Sequence, residues 1–157
     1  MKKFISTLVI GFLILISNSS CSYQKINSMD QKSFYIKEFD VVGDARESFI
    51  IQKKIQRFSN KDSNNKIKLV IELKKNETIK EKNIQNKVTK YNLALSADVT
   101  ILDLVTTNKI FRSFNAIQTY NVEDSYSNTV NNSKEANNLL IESIANEILD
   151  QLRIYYR

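Results

Sequence analysis

Apolar and polar residues alternate with a period of two along two long stretches of this chain. In the first, Ile67, Leu69, Ile71 and Leu73 share one side while Lys66, Lys68 and Glu72 take the other. In the second, Tyr91, Leu93, Leu95, Ala97, Val99 and Ile101 are opposed by Asn92, Ser96, Asp98 and Thr100. Successive side chains of a strand point to opposite faces, so both stretches predict strands of an antiparallel sheet with one wet face. Phe34 and Ile36 against Tyr35 and Lys37 predict a shorter first strand, closed before Val42 and Gly43, and 110–120 predicts a fourth. Residues 74–90, rich in Lys, Asn, Gln and Glu, read as an extended, partly mobile hairpin tip between the two long strands. Thr106-Thr107-Asn108-Lys109 marks the next turn, with Asn108 expected in the left-handed conformation.

Two other segments repeat at helical spacing. Ile51, Ile55 and Phe58 recur along 44–58, with Asp44 and Glu47 three apart as a capping box and Lys53, Lys54 and Arg57 late, where cations complement the helix dipole. Asn132 and Glu135 offer a second cap, for a closing helix whose stripe is Ile141, Ile144, Ala145, Ile148, Leu152 and Tyr155. The order is β-α-β-β-β-α. Two amphipathic helices must bury their stripes on the one apolar face of the sheet, which predicts an α+β, two-layer sandwich with a four-stranded, mostly antiparallel sheet. The opposite face stays polar, with edges able to add to a partner's strands.

The amino-terminal region follows other rules. Lys2 and Lys3 precede a short apolar run from Phe4 to Ile16, and Ser19-Ser20 lead into Cys21, the chain's one cysteine. Thirteen helical residues span about 20 Å, short of the roughly 30 Å of a bilayer's hydrocarbon core, so the run is an address and not an anchor. Residues 1–20 read as a lipoprotein signal peptide, 21–33 as a tether carrying acyl chains such as palmitate on Cys21, and 34–157 as one domain. The alternative is an ordinary secretory signal followed by an incidental cysteine. An exported chain with one cysteine would then carry an unpaired thiol, which favours acylation. By resemblance to lipoproteins at large, Ser22 in place of Asp directs the chain to the outer membrane, on its periplasmic side.

Composition narrows the chemistry. There is no His and no Pro, and Gly occurs only at 11 and 43, so a glycine-rich phosphate loop has no material. Without His, and with Cys21 acylated, neither Ser-His or Cys-His nucleophiles nor the usual zinc sets can be assembled. No enzyme, metal or cofactor is expected, and no nucleic-acid partner. A hydrolase working through carboxylates would need some of Asp98, Asp103, Glu123 and Asp124 together in a deep pocket with raised pKa values. Loss of Lys2 and Lys3 takes the net charge from +6 to +4, a modest excess that suits an anionic surface.

From Asp98 to Leu152 the chain resembles the C-terminal half of the LPS-assembly lipoprotein (LptE) family, particularly its alphaproteobacterial branch. The matching pieces are the strand ending near Asp103, Thr107-Asn108-Lys109 where the family commonly shows Thr-Gly-Lys, the pair Tyr120-Asn121, and Asp124-Ser125-Tyr126-Ser127 leading to a helix near Glu135-Ala136. Cys21-Ser22-Tyr23 is similar to the family's Cys-Gly-Phe or Cys-Gly-Tyr start, and 46–55 sits where its first helix lies. The resemblance implies a lipid-anchored plug that helps an LptD-like outer-membrane β-barrel translocon to fold and to insert lipopolysaccharide into the outer leaflet.

Such a plug needs polar surfaces suited to a water-filled barrel lumen. Contacts to lipopolysaccharide phosphates would fall to Lys74, Lys75, Lys80, Lys82, Lys87 and Lys90, with a solvated hairpin as the plainer reading. Tyr120, Tyr126 and Tyr155 read as residues at the edge of the core. The competing function is an auxiliary lipoprotein of a phospholipid-trafficking ABC-type transport system, which would need a lipid-sized apolar cavity.

Overall fold

The computed structural model describes residues 34–156. The signal, Cys21 and the tether therefore lie outside the described residues. Strands β1 (Phe34–Val42), β2 (Asn65–Lys82), β3 (Val88–Asp103) and β4 (Lys109–Asn121) form one sheet in the order β1-β2-β3-β4. Helix α1 (Ala45–Gln56) joins β1 to β2, and helix α2 (Tyr126–Tyr155) closes the chain. The fold is α+β with the expected element order.

Strands β2, β3 and β4 pair antiparallel, but β1 runs parallel to β2. The reason is the inserted helix: α1 carries the chain back to the starting end of the sheet, so the next strand must run the same way. Register across the sheet aligns Phe39, Leu69, Ile101 and Ile110 in one row, and Val41, Ile71, Val99 and Arg112 in the next. A bulge between Ile36 and Glu38 shifts the alternation of β1, which lets Phe34, Ile36, Phe39 and Val41 all contribute to the core.

Both helices lie on this face. Ile51 and Ile55 of α1, with Leu140, Ile141, Ile144, Ile148 and Leu152 of α2, are essentially inaccessible to solvent against Ile67, Leu69, Ile71, Leu95 and Ile101. Burying each such side chain stabilises the fold by about 1.5–3 kcal/mol. The helical stripes differ from expectation at their ends. Phe58 lies past the end of α1 and is exposed beneath Arg153, and Tyr155 is exposed while its neighbour Tyr156 is buried against Phe34, ring centroids 6.3 Å apart.

Gly43 and Asp44 set the corner between β1 and α1. Gly43 has φ +145°, and a Cβ there would come within 2.8 Å of the Leu73 Cβ. Asp44 caps α1, its carboxylate accepting from the amides of Arg46 (3.0 Å) and Glu47 (3.2 Å). The return half of the expected capping box does not form, because Glu47 turns inward instead.

Three further expectations are corrected. Residues 74–82 and 88–90 are strand, so the turn of the β2–β3 hairpin is only 83–87. Its Asn83 carboxamide accepts from the amides of Gln85 and Lys87, and Asn86 takes φ +61°. Helix α2 starts at Tyr126, not near Glu135. Thr129 closes its first turn on Glu123 and Ser125, while Asn132, inside the helix, donates to the Asn121 carbonyl. In the β3–β4 turn the left-handed residue is Thr107 (φ +61°), not Asn108. The Asp103 carboxylate takes the amides of Val105 and Thr106, both at 2.8 Å, and this early tightening leaves Thr107 to reverse the chain.

Candidate functional site

With both helices on one side, the other face of the sheet is open, and its even spacing of polar residues becomes a set of bonded rungs. Lys68 of β2 reaches Glu38 (2.8 Å) and Asp40 (3.3 Å) of β1. Lys74 meets Asp98 of β3 at 3.3 Å, and Asp98 in turn accepts from Ser113 of β4 at 2.7 Å. Lys80 donates to Thr119 of β4 (3.0 Å), which donates to Asn92 of β3 (3.0 Å). These rungs run across the strands. Hydrogen bonding from Ser113, then Lys74, holds the Asp98 carboxyl below the usual range, and the carboxylates of Glu38 and Asp40 raise Lys68.

Between the first two rungs lies a shallow concavity of about 480 Å³, lined by Val70, Glu72, Thr100 and Phe111 among others. Phe111 and Ile117 stand exposed on this face. The surface is thus polar and cross-linked with isolated apolar points, a composition that meets another polar protein surface rather than lipid tails.

The β2–β3 hairpin outruns β1, while β4 stays paired with β3 as far as Lys90. Val42, the last residue of β1, pairs with Glu72, so from residue 73 onward β2 has a neighbour on one side only. At about 3.3 Å per residue the 18 residues of β2 extend about 60 Å. Two devices on the helical face brace this projection. Lys75 forms an ion pair with Glu47 of α1, whose side chain is 3 % exposed against 39 % for the lysine. Further out, the Tyr120 hydroxyl donates to Glu77 (2.8 Å), and the Tyr120 ring stacks on Tyr91 with centroids 5.5 Å apart. Burial, reinforced by the Glu77 carboxylate, pushes the Tyr120 phenol up to about 12.

The six candidate lysines do not converge. Lys75 lies on the helical face with Glu47, Lys74 and Lys80 belong to the open-face rungs, and Lys90 pairs with Glu81 at 2.7 Å. Lys82 and Lys87 flank the turn, beside a fully exposed Ile84, and have no side-chain partner among the described residues. Nor do the candidate carboxylates share a pocket. Asp98 stands mid-sheet, Asp103 closes the β3–β4 turn, and Glu123 and Asp124 precede α2 at the other end. Among the described residues no three His, Cys, Asp or Glu gather as a metal site. Tyr120 is buried, Tyr126 is exposed, and Tyr155 accepts a hydrogen bond from Arg112.

Sequence reasoning gave Glu47 a place in the capping box of α1 but not its pairing with Lys75. Nothing distinguishes it from any other first-turn carboxylate until Lys75, 28 residues away, is placed opposite it. The length of the hairpin had a faint signal in Asn83 and Asn86, two residues suited to a tight turn.

No family model matches the sequence, and no curated protein matches it. Solved structures do. A candidate lipoprotein from Caulobacter crescentus CB15 superposes with a TM-score of 0.54 at 14% identity, over 80% of this chain and 90% of its own. Rare lipoprotein B from Shewanella oneidensis gives 0.53 at 12% identity, over 73% and 92%, and lipoprotein B from Nitrosomonas europaea 0.55 at 13%, over 81% and 89%. The likeness is one of fold: this chain has the α+β architecture of lipoprotein B.

Proposed function

We propose that this chain is an outer-membrane lipoprotein of the LPS-assembly type, anchored through Cys21, that plugs and helps assemble the β-barrel lipopolysaccharide translocon. Rare lipoprotein B is the same protein as LptE, so the fold likeness and the residues at 98–152 point the same way. The observation that carries the reading is the open sheet face, where lysine, carboxylate and hydroxyl groups are tied into rungs across four strands. Such a face is rigid and hydrogen-bonding, as the wall of a water-filled barrel lumen requires. Lys82 and Lys87 are the lysines of the hairpin with charge to offer a lipopolysaccharide phosphate.

The test is site-specific photocross-linking in cells from Ser96 and Asn115 on the open face, with Phe49 on the outer surface of α1 as comparison. The expected product joins the open-face positions to a large outer-membrane barrel, and mass spectrometry of the mature protein finds Cys21 acylated. Recovery only as an uncross-linked monomer after gentle detergent extraction would overturn the proposal.

A further inference from the structure

One end of the sheet gathers cations and exposed apolar residues, and that end is where the tether joins. β1 begins at Phe34, beside Asn65 and over Tyr156, so the 12 residues 22–33 connect Cys21 to the end of the domain opposite the hairpin turn. Three separate segments meet here. The turn after α1 presents Arg57, Phe58 and Lys61, and it is tied to this end by the Asn60 amide donating to the Phe34 carbonyl (2.9 Å). The β3–β4 turn presents Val105 and Lys109 beside Lys66, through the Leu104 amide donating to the Lys66 carbonyl (2.8 Å). The last turn of α2 presents Ile154 and Arg153, the latter stacked 5.1 Å over the Phe58 ring.

Val105 (64 %) and Ile154 (63 %) are among the most exposed apolar residues described. Arg57, Lys61, Lys66, Lys109 and Arg153 face Asp62, Asp103 and Asp150 here, Asp150 pairing with Arg153 at 3.0 Å and Asp103 accepting two backbone amides, so these groups carry two positive charges in excess.

Resting on the lipoprotein reading of Cys21, we infer that this end of the domain is a membrane-docking surface for anionic phospholipid headgroups. The cations sit on the negative headgroups, and Val105, Ile154 and Phe58 enter the interfacial layer between them. Twelve residues reach at most about 40 Å fully extended, so acyl chains on Cys21 would hold this end, and not the hairpin turn about 60 Å away, within range of the headgroups. Basic residues near an anionic surface attract it within a Debye length, and exposed apolar side chains add a salt-independent part.

The experiment uses the mature chain with Cys21→Ser, so that binding does not depend on acylation, and sedimentation with vesicles of phosphatidylcholine alone or mixed with phosphatidylglycerol. Binding to the mixed vesicles is expected, weakening with salt. Lys61→Gln and Lys109→Gln should each lower it about fivefold, and Ile154→Ser about tenfold with less dependence on salt. Lys134→Gln, which removes the same charge from the exposed side of α2, should change it less than twofold, roughly. Circular dichroism confirms that each variant is folded.

Equal binding to both vesicle types, no binding, or equal loss from Lys134→Gln and Lys61→Gln would overturn the inference. An unacylated Cys21 in cells would instead overturn the lipoprotein reading, and the two failures are read from different measurements.

Discussion

Lys75→Met tests whether the Glu47–Lys75 pair joins the hairpin to helix α1. Breaking a fully buried ion pair by removing one partner costs about 3–5 kcal/mol, because a charge is left without compensation. Here the carboxylate is buried but the lysine is 39 % exposed, so water already attends one half of the pair. The expected loss is about 2–3 kcal/mol, somewhat below that range. In the reverse change, Glu47→Met, the exposed ammonium turns to solvent and a good helix former fills the buried site, so the loss is under about 1 kcal/mol. The double variant should resemble Glu47→Met alone. The coupling is therefore about 2 kcal/mol, read as a denaturation midpoint that falls by about 1–2 M urea in Lys75→Met and largely recovers in the double variant. Hydrogen exchange should quicken at amides of 73–79 in the single variant. Additivity within about 0.5 kcal/mol would show that the two groups are merely adjacent.

Other positions give sharper local tests. Gly43→Ala should cost about 1–3 kcal/mol, since the backbone angle is strained for any side chain and the new methyl meets Leu73; an unchanged melting temperature would refute this. Thr107→Gly should stabilise by about 0.5–1 kcal/mol, relief of left-handed strain exceeding the entropy of glycine, and a lower melting temperature would count against it. Tyr120 and Tyr156 both stand at about 12, chiefly through burial, so the folded state holds protons that the unfolded chain loses near pH 10. Stability should consequently fall as pH rises from 10 to 12, with a smaller fall in Tyr120→Phe; phenolate absorbance showing every tyrosine ionised by pH 10.5 or so in the folded protein would refute it.

Much of the fold was legible because single-face burial imposes period two on strands and 3.6 on helices. Ile67–Leu73 and Leu93–Ile101 are core strands as the alternation required, and Ile51, Ile55, Ile144 and Ile148 face the sheet. Where burial lapses, so does the signal. The outer half of β2, 74–82, is exposed throughout, so its strand character comes from pairing with β3 and not from its own composition. The first nine residues of α2 are similarly polar, and side-chain bonds from Thr129 and Asn132 to the end of β4 hold them helical. As for the candidate site, the polar residues of the open face were visible as an alternation, but their partners were not.

The order of elements, the two apolar faces and the absence of histidine follow from the residues alone, because each depends on spacing along the chain or on composition. The direction of β1, the pairing of Glu47 with Lys75, the rungs across the open face and the gathering of Phe58, Val105 and Ile154 at one end required the folded chain. Each joins residues distant in sequence, and only register and helix placement decide which distant groups come within a few ångströms.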